Sequence, residues 1–295
     1  LFKIENMSQQ RRDFIKTVGL ATAGLTLPFT GKSNLLEEFA AYKKLSAFGL
    51  QLWTVKSEMG ADPKGTLAKL ASYGFKQIES FEGPKGMFWG MKNTEFKQYI
   101  EDLGMKLVSS HCNSSVDFER KAAEAGEIGL KYLICAYKGP QKSIDNFKKF
   151  NDEFNQCGLS CKKNGLRFAY HNHDYSFKLV DGQLPQTVMM EGTDASIVDF
   201  EMDIYWVVAA KENPEEWFKK YPNRFKLCHV KDQTKTATGI ESCHLGKGNI
   251  DFKTILASAK KYGMQYYIAE QEAFTGSTPI DSAAIDAAYL KTISF

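Results

Sequence analysis

What the sequence lacks narrows the field first. It has no Cys-x-x-Cys: Cys112, Cys135, Cys157, Cys161, Cys228 and Cys243 lie apart, three of them in apolar strand-like runs where Cys acts as a small buried hydrophobe. That excludes a zinc knuckle and a disulfide-stapled scaffold. The apolar stretch Val18 to Phe29 is short and interrupted by Thr and Gly, against the ~20 apolar residues that a membrane-crossing helix needs, so no stable span is expected. Net charge is absent from most of the chain. Residues 1–32 hold five of the 38 Lys and Arg and two of the 35 Asp and Glu, which leaves 33 of each sign in the remainder. A neutral body offers no electrostatic footprint for nucleic acid or an anionic membrane surface, and no nucleic-acid partner is expected. No Gly-x-Gly-x-x-Gly follows the first strand-like run, which argues against a doubly wound nucleotide-binding sheet.

What is present falls into three stretches. Arg11-Arg12-Asp13-Phe14-Ile15-Lys16, followed by the mild apolar run, resembles a twin-arginine export signal. Residues 1–32 are therefore read as a signal segment, with export to the periplasm expected, and 33–44 as a polar connector. Residues 45–295 carry a recurring pattern: a helix-period segment, Gly, an apolar residue, often Lys or Arg, then a β-rich run. Tyr73-Gly74-Phe75-Lys76, Leu103-Gly104-Met105-Lys106, Ile128-Gly129-Leu130-Lys131, Asn164-Gly165-Leu166-Arg167 and Tyr262-Gly263-Met264-Gln265 are its instances. Gly just past a helix takes the left-handed conformation that closes it, and the next residues enter a strand.

Repeated alternation of helix and strand implies a parallel sheet. Strands are expected near 47–53, 75–80, 105–111, 131–137, 166–172, 197–203, 225–231 and 265–271. Helices are expected near 63–73, 94–103, 117–128, 142–163, 184–191, 213–220, 251–262 and 280–292, with Thr94 and Asp251 as N-caps. Eight such units in one chain of this size predict a closed (β/α)8 TIM barrel.

Active sites in such barrels lie where strands end. Here the strand ends carry Glu79, His111, His171-Asn172-His173, Glu201-Met202-Asp203, His229-Val230-Lys231-Asp232 and Glu270-Gln271-Glu272. Residues two apart on a strand share a face, so His171 with His173, Glu201 with Asp203, and His229 with Lys231 project together. Burying so many ionisable groups is costly unless a cation or mutual pairing compensates, and one divalent metal does this most simply.

The body resembles the sugar phosphate isomerase/epimerase family of xylose isomerase-like barrels, a superfamily that includes endonuclease IV. The resemblance rests on Gly49-Leu50-Gln51-Leu52-Trp53-Thr54-Val55, Phe168-Ala169-Tyr170-His171-Asn172-His173-Asp174 and Glu201-Met202-Asp203-Ile204-Tyr205-Trp206. His229-Val230-Lys231-Asp232, Gly246-Lys247-Gly248-Asn249-Ile250-Asp251-Phe252 and Glu270-Gln271 complete it. Carried over, the family's metal ligands fall on His171, Asp203, His229 and Glu270. Many relatives have Glu where this chain has His171, and their epimerases pass a proton between two glutamates. That departure supports the fold and the metal more firmly than epimerisation.

Two imidazoles and two carboxylates favour Mn, Zn, Co or Fe(II). The expected reaction is proton removal beside a sugar carbonyl, with Glu270 or Glu201 as base and Lys231 as a charge near the developing oxyanion. Trp53, Glu79, His111, His173 and Trp206 are candidate substrate contacts, with Phe88, Trp89 and Tyr205 as further aromatic cover. The Gly246-x-Gly248 turn offers backbone N–H groups to an anion. A metal-dependent sugar isomerase or epimerase is the first expectation. The alternative is a lyase or hydratase of a keto-sugar or keto-glycoside, and a non-catalytic sugar-binding barrel ranks behind both. The neutral body argues against an endonuclease.

Overall fold

A computed structural model describes residues 44–295. The expected signal segment and nearly all of the connector lie outside the described residues. The strands are β1 (Gly49–Gln51), β2 (Gln77–Phe81), β3 (Lys106–Cys112), β4 (Tyr132–Cys135), β5 (Arg167–His171), β6 (Val198–Asp203), β7 (Phe225–Val230), β8 (Asp232–Thr236), β9 (Gly239–Cys243) and β10 (Tyr266–Ala269). The helices are α1 (Lys56–Ala61), α2 (Pro63–Tyr73), α3 (Asn93–Asp102), α4 (Phe118–Glu127), α5 (Ile144–Lys163), α6 (Pro185–Gly192), α7 (Ile204–Ala209), α8 (Pro214–Lys220), α9 (Phe252–Lys261) and α10 (Pro279–Leu290). Eight strands close into a parallel barrel in the order β1-β10-β7-β6-β5-β4-β3-β2. The TIM barrel expected from the alternation is the fold.

Local chemistry explains the repeat. Asp62 caps α2 by accepting from the Gly65 N–H, Pro63 occupies its first turn, and Gly74 ends it at φ 98°. All five glycines of the recurring pattern have positive φ. Asp251 caps α9 as expected, accepting from the Thr254 N–H. Thr94 does not cap α3. That helix starts one residue earlier, because the Asn93 carboxamide bonds the Thr94 N–H at 2.8 Å and the Glu124 carbonyl at 2.9 Å.

Period-two alternation sorts β5. Phe168 and Tyr170 face outward, with ring centroids 5.3 and 5.1 Å from Phe154 of α5. Ala169 joins Tyr132, Ile134 and Leu227 in a small cluster separate from the main core, the filling of the barrel itself. Below it, Arg167 and Asp199 pair, with Arg167 Nη2 2.9 Å from Asp199 Oδ1. Above it stands His171.

Two strands break the alternation. Pairing between β2 and β3 skips Val108, so Glu79 lies beside Ser109; pairing between β6 and β7 skips Lys226, so Glu201 lies beside Leu227. Such an extra residue exchanges the faces on either side of it. Phe225 therefore packs outward on Phe218 of α8, while Leu227, two residues on, lies inside.

Two features were not expected. β8 and β9 form an antiparallel hairpin in the connection after β7, and α1 and α7 are extra short helices. β1 is shorter than expected because Leu52–Val55 turns into a single 3-10 turn capped by Gln51.

Candidate active site

The β5 and β6 ends are locked together by Asn172. Its carboxamide accepts from the Asp203 N–H and donates to the Asp203 carbonyl, both at 3.2 Å. Inward alternation then brings His171, Glu201 and Asp203 together, and His229 and Lys231 of the next strand join them. Each of the two expected metal-binding histidines has a buried carboxylate at one ring nitrogen. His229 Nε2 lies 2.7 Å from Glu79 Oε1, and His171 Nδ1 lies 3.1 Å from Glu201 Oε2.

The opposite nitrogens turn toward one point. His171 Nε2 is 3.7 Å and His229 Nδ1 3.9 Å from Asp203 Oδ2, and His229 Nδ1 is 3.2 Å from Glu270 Oε2. Asp203, His229 and Glu270, three of the side chains expected to share a metal, thus have ligand atoms within 4.8 Å of one another, while His171 stands beside Asp203 and also groups with His111, Glu201 and His229. Asp203 Oδ2 is buried with no hydrogen-bond partner, although Oδ1 caps α7 through the Trp206 N–H at 3.3 Å. A buried carboxylate oxygen without a hydrogen-bond partner, among imidazole nitrogens, is a polar group that a bound cation could satisfy. Lys231 reaches the same place, with Nζ 3.7 Å from Asp203 Oδ2 and 3.2 Å from Glu270 Oε2, and also pairs with Glu272. The buried histidines and carboxylates could hold a divalent ion.

The electrostatics point the same way. Burial raises Glu201 to about 7, with Glu79 adding to it against the pull of His229 and His111. Burial raises Asp203 to about 6, opposed by Lys231 and His229 and helped by Glu270. Burial would also raise Glu79 and Glu270, but His111 and His229 hold Glu79 well below the usual carboxylate range, and Lys231 and His229 do the same for Glu270. Burial opposes protonation of His111, yet Glu79 and Glu201 lift it to about 9. Burial brings His173 down to about 4, with Lys231 contributing.

A cavity of about 860 Å³ opens above the cluster. Trp53, His111, His173, Trp206, Lys231 and Glu270 line it, as does His171. Glu79, Glu201, Asp203 and His229 lie beneath and are fully buried. Glu79, expected as a substrate contact, is instead enclosed by protein. It accepts from Gln51 Nε2 at 2.8 Å and Ser109 Oγ at 2.5 Å besides His229. Glu201, expected as a base, sits between His111 Nε2 at 2.7 Å and His171.

Phe88 and Trp89 are buried away from the cavity, Phe88 against Phe96 and Trp89 through an Nε1–H bond to Ser80 Oγ at 3.1 Å. Tyr205 stands behind Lys231, whose Nζ is 5.1 Å from its ring. The Gly246-x-Gly248 turn does not present its N–H groups to a ligand. Gly246 and Gly248 donate to Asp232 Oδ2 at 2.9 and 3.0 Å, and Ile250 to Oδ1 at 3.2 Å. The anion is the chain's own carboxylate.

Sequence reasoning passed over several residues that build this site. Asn172 had a signal, standing between two candidate histidines. Gln51 and Ser109 had none, because their role appears only once β1, β2 and β3 are adjacent. Tyr137 joins the cavity wall from the loop after β4, and Glu272, already noted at the end of the last strand, from the loop after β10.

The family model described as xylose isomerase-like TIM barrel matches residues 67–293. A solved sugar phosphate isomerase/epimerase from Parabacteroides distasonis is 28% identical, with a TM-score of 0.73 over 86% of this chain and 95% of that one. A solved L-ribulose 3-epimerase shares the fold at 14% identity, with a TM-score of 0.62 over 83% of this chain and 93% of that one. Inosose dehydratase 2 of Bacillus cereus is 23% identical over 216 residues, 70% of this chain; the chain spans 66% of that relative's length. The chain belongs to the xylose isomerase-like TIM barrel family.

Proposed function

We propose that the protein is a divalent-metal-dependent enzyme that removes a proton beside the ketone of a sugar and eliminates or adds water or an alcohol at the next carbon. One observation carries the choice of reaction. Among the described residues three carboxylates line the cavity: Glu270, Glu272, which shares Lys231 with Glu270, and Glu82, which pairs with Lys121, while Glu79, Glu201 and Asp203 are enclosed. Epimerisation by two carboxylates on opposite faces of a carbon needs a second base across from Glu270, and Glu272 stands on the same lysine as Glu270 while Glu82 is held by Lys121. Elimination needs one base and one acid.

Glu270, which its neighbours keep ionised, takes the proton from the carbon beside the carbonyl. The electron pair left behind forms the carbon–carbon double bond, and the carbon–oxygen bond one position further breaks. His111, held protonated up to about pH 9 and present in the cavity wall, gives the departing oxygen its proton. Lys231 lays a positive charge beside the enolate oxygen. When bound, the ion supplies a Lewis acid that withdraws electron density from the carbonyl and acidifies the neighbouring C–H; Mn, Zn, Co and Fe(II) suit these donors. The name of the Bacillus relative, a dehydratase, agrees with this reading.

A second reading, isomerisation or epimerisation, has the name of the Parabacteroides relative in its favour and begins with the same proton removal. Incubating the ion-loaded protein with keto-sugars in heavy water separates the two. A change in mass by one water, or release of the alcohol, supports elimination or hydration, and solvent deuterium retained in a stereoisomer supports epimerisation. A sugar that binds both before and after Glu270→Gln but never exchanges its proton leaves a binding barrel, and activity that survives Glu270→Gln refutes Glu270 as the base. Export by the twin-arginine route belongs to the same proposal, on the strength of Arg11-Arg12 and the run after it. Failure of residues 1–44 to carry a folded reporter to the periplasm would end it.

A further inference from the structure

We infer that the cavity takes a neutral substrate of two joined sugar rings, an unphosphorylated glycoside, whose second ring rests against Tyr137 and Val116 beside Asn113. This rests on the sugar-ketone reading above and narrows its substrate. Size is the first argument. At about 860 Å³ the cavity stands near the top of the roughly 300–1,000 Å³ range that encloses ligands of several rings; a single hexose fills a minor part of it.

The second argument is where apolar surface is left open. Seven large hydrophobic side chains are exposed among the described residues, and three of them line this one cavity: Trp53 at 39%, Val116 at 53% and Tyr137 at 59%. Concentrated exposure of this kind marks a binding surface. An aromatic wall joins the ion cluster to Tyr137. The His171 and His173 ring centroids are 5.0 Å apart, and those of His173 and Tyr137 a further 5.0 Å. A ring reacting beside His171 therefore leaves its neighbour in a chain opposite Tyr137 and Val116, whose apolar faces suit the C–H face of a pyranose. Asn113 stands at the same end with a carboxamide N–H₂ to offer a hydroxyl, since only its oxygen is engaged, by the Ser115 N–H at 2.9 Å.

Charge supplies the third argument. The lining contains three lysines and no arginine, and every lysine has its own carboxylate. Lys121 Nζ lies 2.7 Å from Glu82 Oε2, Lys138 Nζ 2.5 Å from Glu153 Oε1, and Lys231 pairs with Glu270 and Glu272. The N–H groups of the Gly246-x-Gly248 turn are spent on Asp232. His111 is likewise held by Glu79 and Glu201, so a phosphate dianion would have to compete with a carboxylate for each cationic side chain of the wall. Hydroxyl groups, by contrast, find donors and acceptors side by side.

The test compares three ketones with the ion-loaded protein: maltose carrying a ketone on its non-reducing ring, glucose carrying the same ketone, and the 6-phosphate of the latter. The expected result is a kcat/KM at least tenfold higher for the disaccharide than for the hexose, with no gain from the phosphate. Tyr137→Ala, and separately Val116→Asp, should shrink the disaccharide-to-hexose ratio at least fivefold; both positions are exposed, so folding survives. Equal rates for disaccharide and hexose, preference for the phosphate, or a ratio untouched by both variants would overturn the inference. Calorimetry with unoxidised maltose and glucose keeps the two claims apart. Tighter binding of maltose, weakened by Tyr137→Ala, upholds the second-ring site even where no ketone reacts, and that combination sinks the reaction reading alone.

Discussion

Replacing Glu79 by Gln asks whether a buried carboxylate that touches neither substrate nor ion sets the strength of the metal centre. Glu79 Oε1 takes the His229 Nε2–H at 2.7 Å and the Gln51 Nε2–H at 2.8 Å, and Oε2 takes the Ser109 hydroxyl at 2.5 Å. Gln fits the same space. Its oxygen can keep the two N–H donors, and its N–H₂ can face the Ser109 hydroxyl, which reverses from donor to acceptor. What disappears is the negative charge behind the imidazole, and with it the basicity that the charge lends to Nδ1. Carboxylates in that position are worth about 10–100-fold in ion affinity, or roughly 1.4–2.7 kcal/mol. Competition with a chromogenic chelator, titrating Mn or Co, reads this directly. Asp203→Asn is the internal scale: it removes the oxygen that stands without a partner, and its loss should be the larger. Unchanged chelator midpoints for a folded Glu79→Gln would show that His229 needs no orienting charge. Unchanged midpoints for both variants would dissolve the centre altogether.

Three further outcomes follow from other parts of the molecule. Ion at 100 times its dissociation constant should stabilise the fold by about 2.7 kcal/mol, so chelation should lower the melting temperature by several degrees; superimposable melts with and without chelator would contradict the site. Asp286 is buried, accepts from the Leu245 N–H at 2.8 Å, and is raised by burial from 3.8 to about 7. A carboxyl raised on folding binds its proton more tightly in the native state. Its contribution is therefore greatest at low pH and drains away as pH rises from about 4 to about 7. Asp286→Asn should match the wild type near pH 4 and exceed it at pH 8 by roughly 2–4 kcal/mol, measured by urea unfolding at both values; equal gains at both would refute the titration. Gly248→Ala would set a Cβ 2.2 Å from Asp232 Oδ1 and the Gln233 carbonyl. It should cost roughly 1–3 kcal/mol, seen as a lower urea midpoint, and a midpoint unmoved would show that the loop has room to shift.

The barrel could be read from the chain because most of its units are signalled locally. A capping Asp, an apolar stripe, a glycine with positive φ and a run of β-branched and aromatic residues all lie within one stretch of sequence, as from Asp62 through Phe81. The hairpin β8–β9 has no such signature. Its residues, from Asp232 to Cys243, are mostly polar and show no alternation. It is held from far along the chain, by Ser242 Oγ accepting the Glu272 and Ala273 N–H groups at 2.9 Å and by Tyr205 reaching the Ile240 carbonyl at 3.5 Å. The turn after it shows the same limit. Its glycines promised N–H donors, and only the fold could bring Asp232 to claim them.

The site divides along a sharper line. That ionisable side chains gather at one mouth follows from strand ends and a period of two. How deep each one lies does not, because depth depends on register between strands. Both glutamates expected to meet substrate or take its proton from the barrel wall, Glu79 and Glu201, sit at the two places where pairing skips a residue, Val108 on β3 and Lys226 on β7. Each skip turns the inner face of the neighbouring strand toward a glutamate, bringing Ser109 and His111 of β3 inward beside Glu79, and Leu227 and His229 of β7 inward beside Glu201. Without the skipped residue, Ser109 would not face Glu79, and the face carrying Leu227 and His229 would turn outward. The two irregularities therefore have a chemical consequence: they aim Ser109 and His111 at Glu79, and His229 into the ion cluster, where Glu79 and Glu201 are the buried partners of His229 and His171. Deleting Val108 or Lys226 should then cost the ion site more than the barrel's outer packing, since the inner face is the one each skip resets.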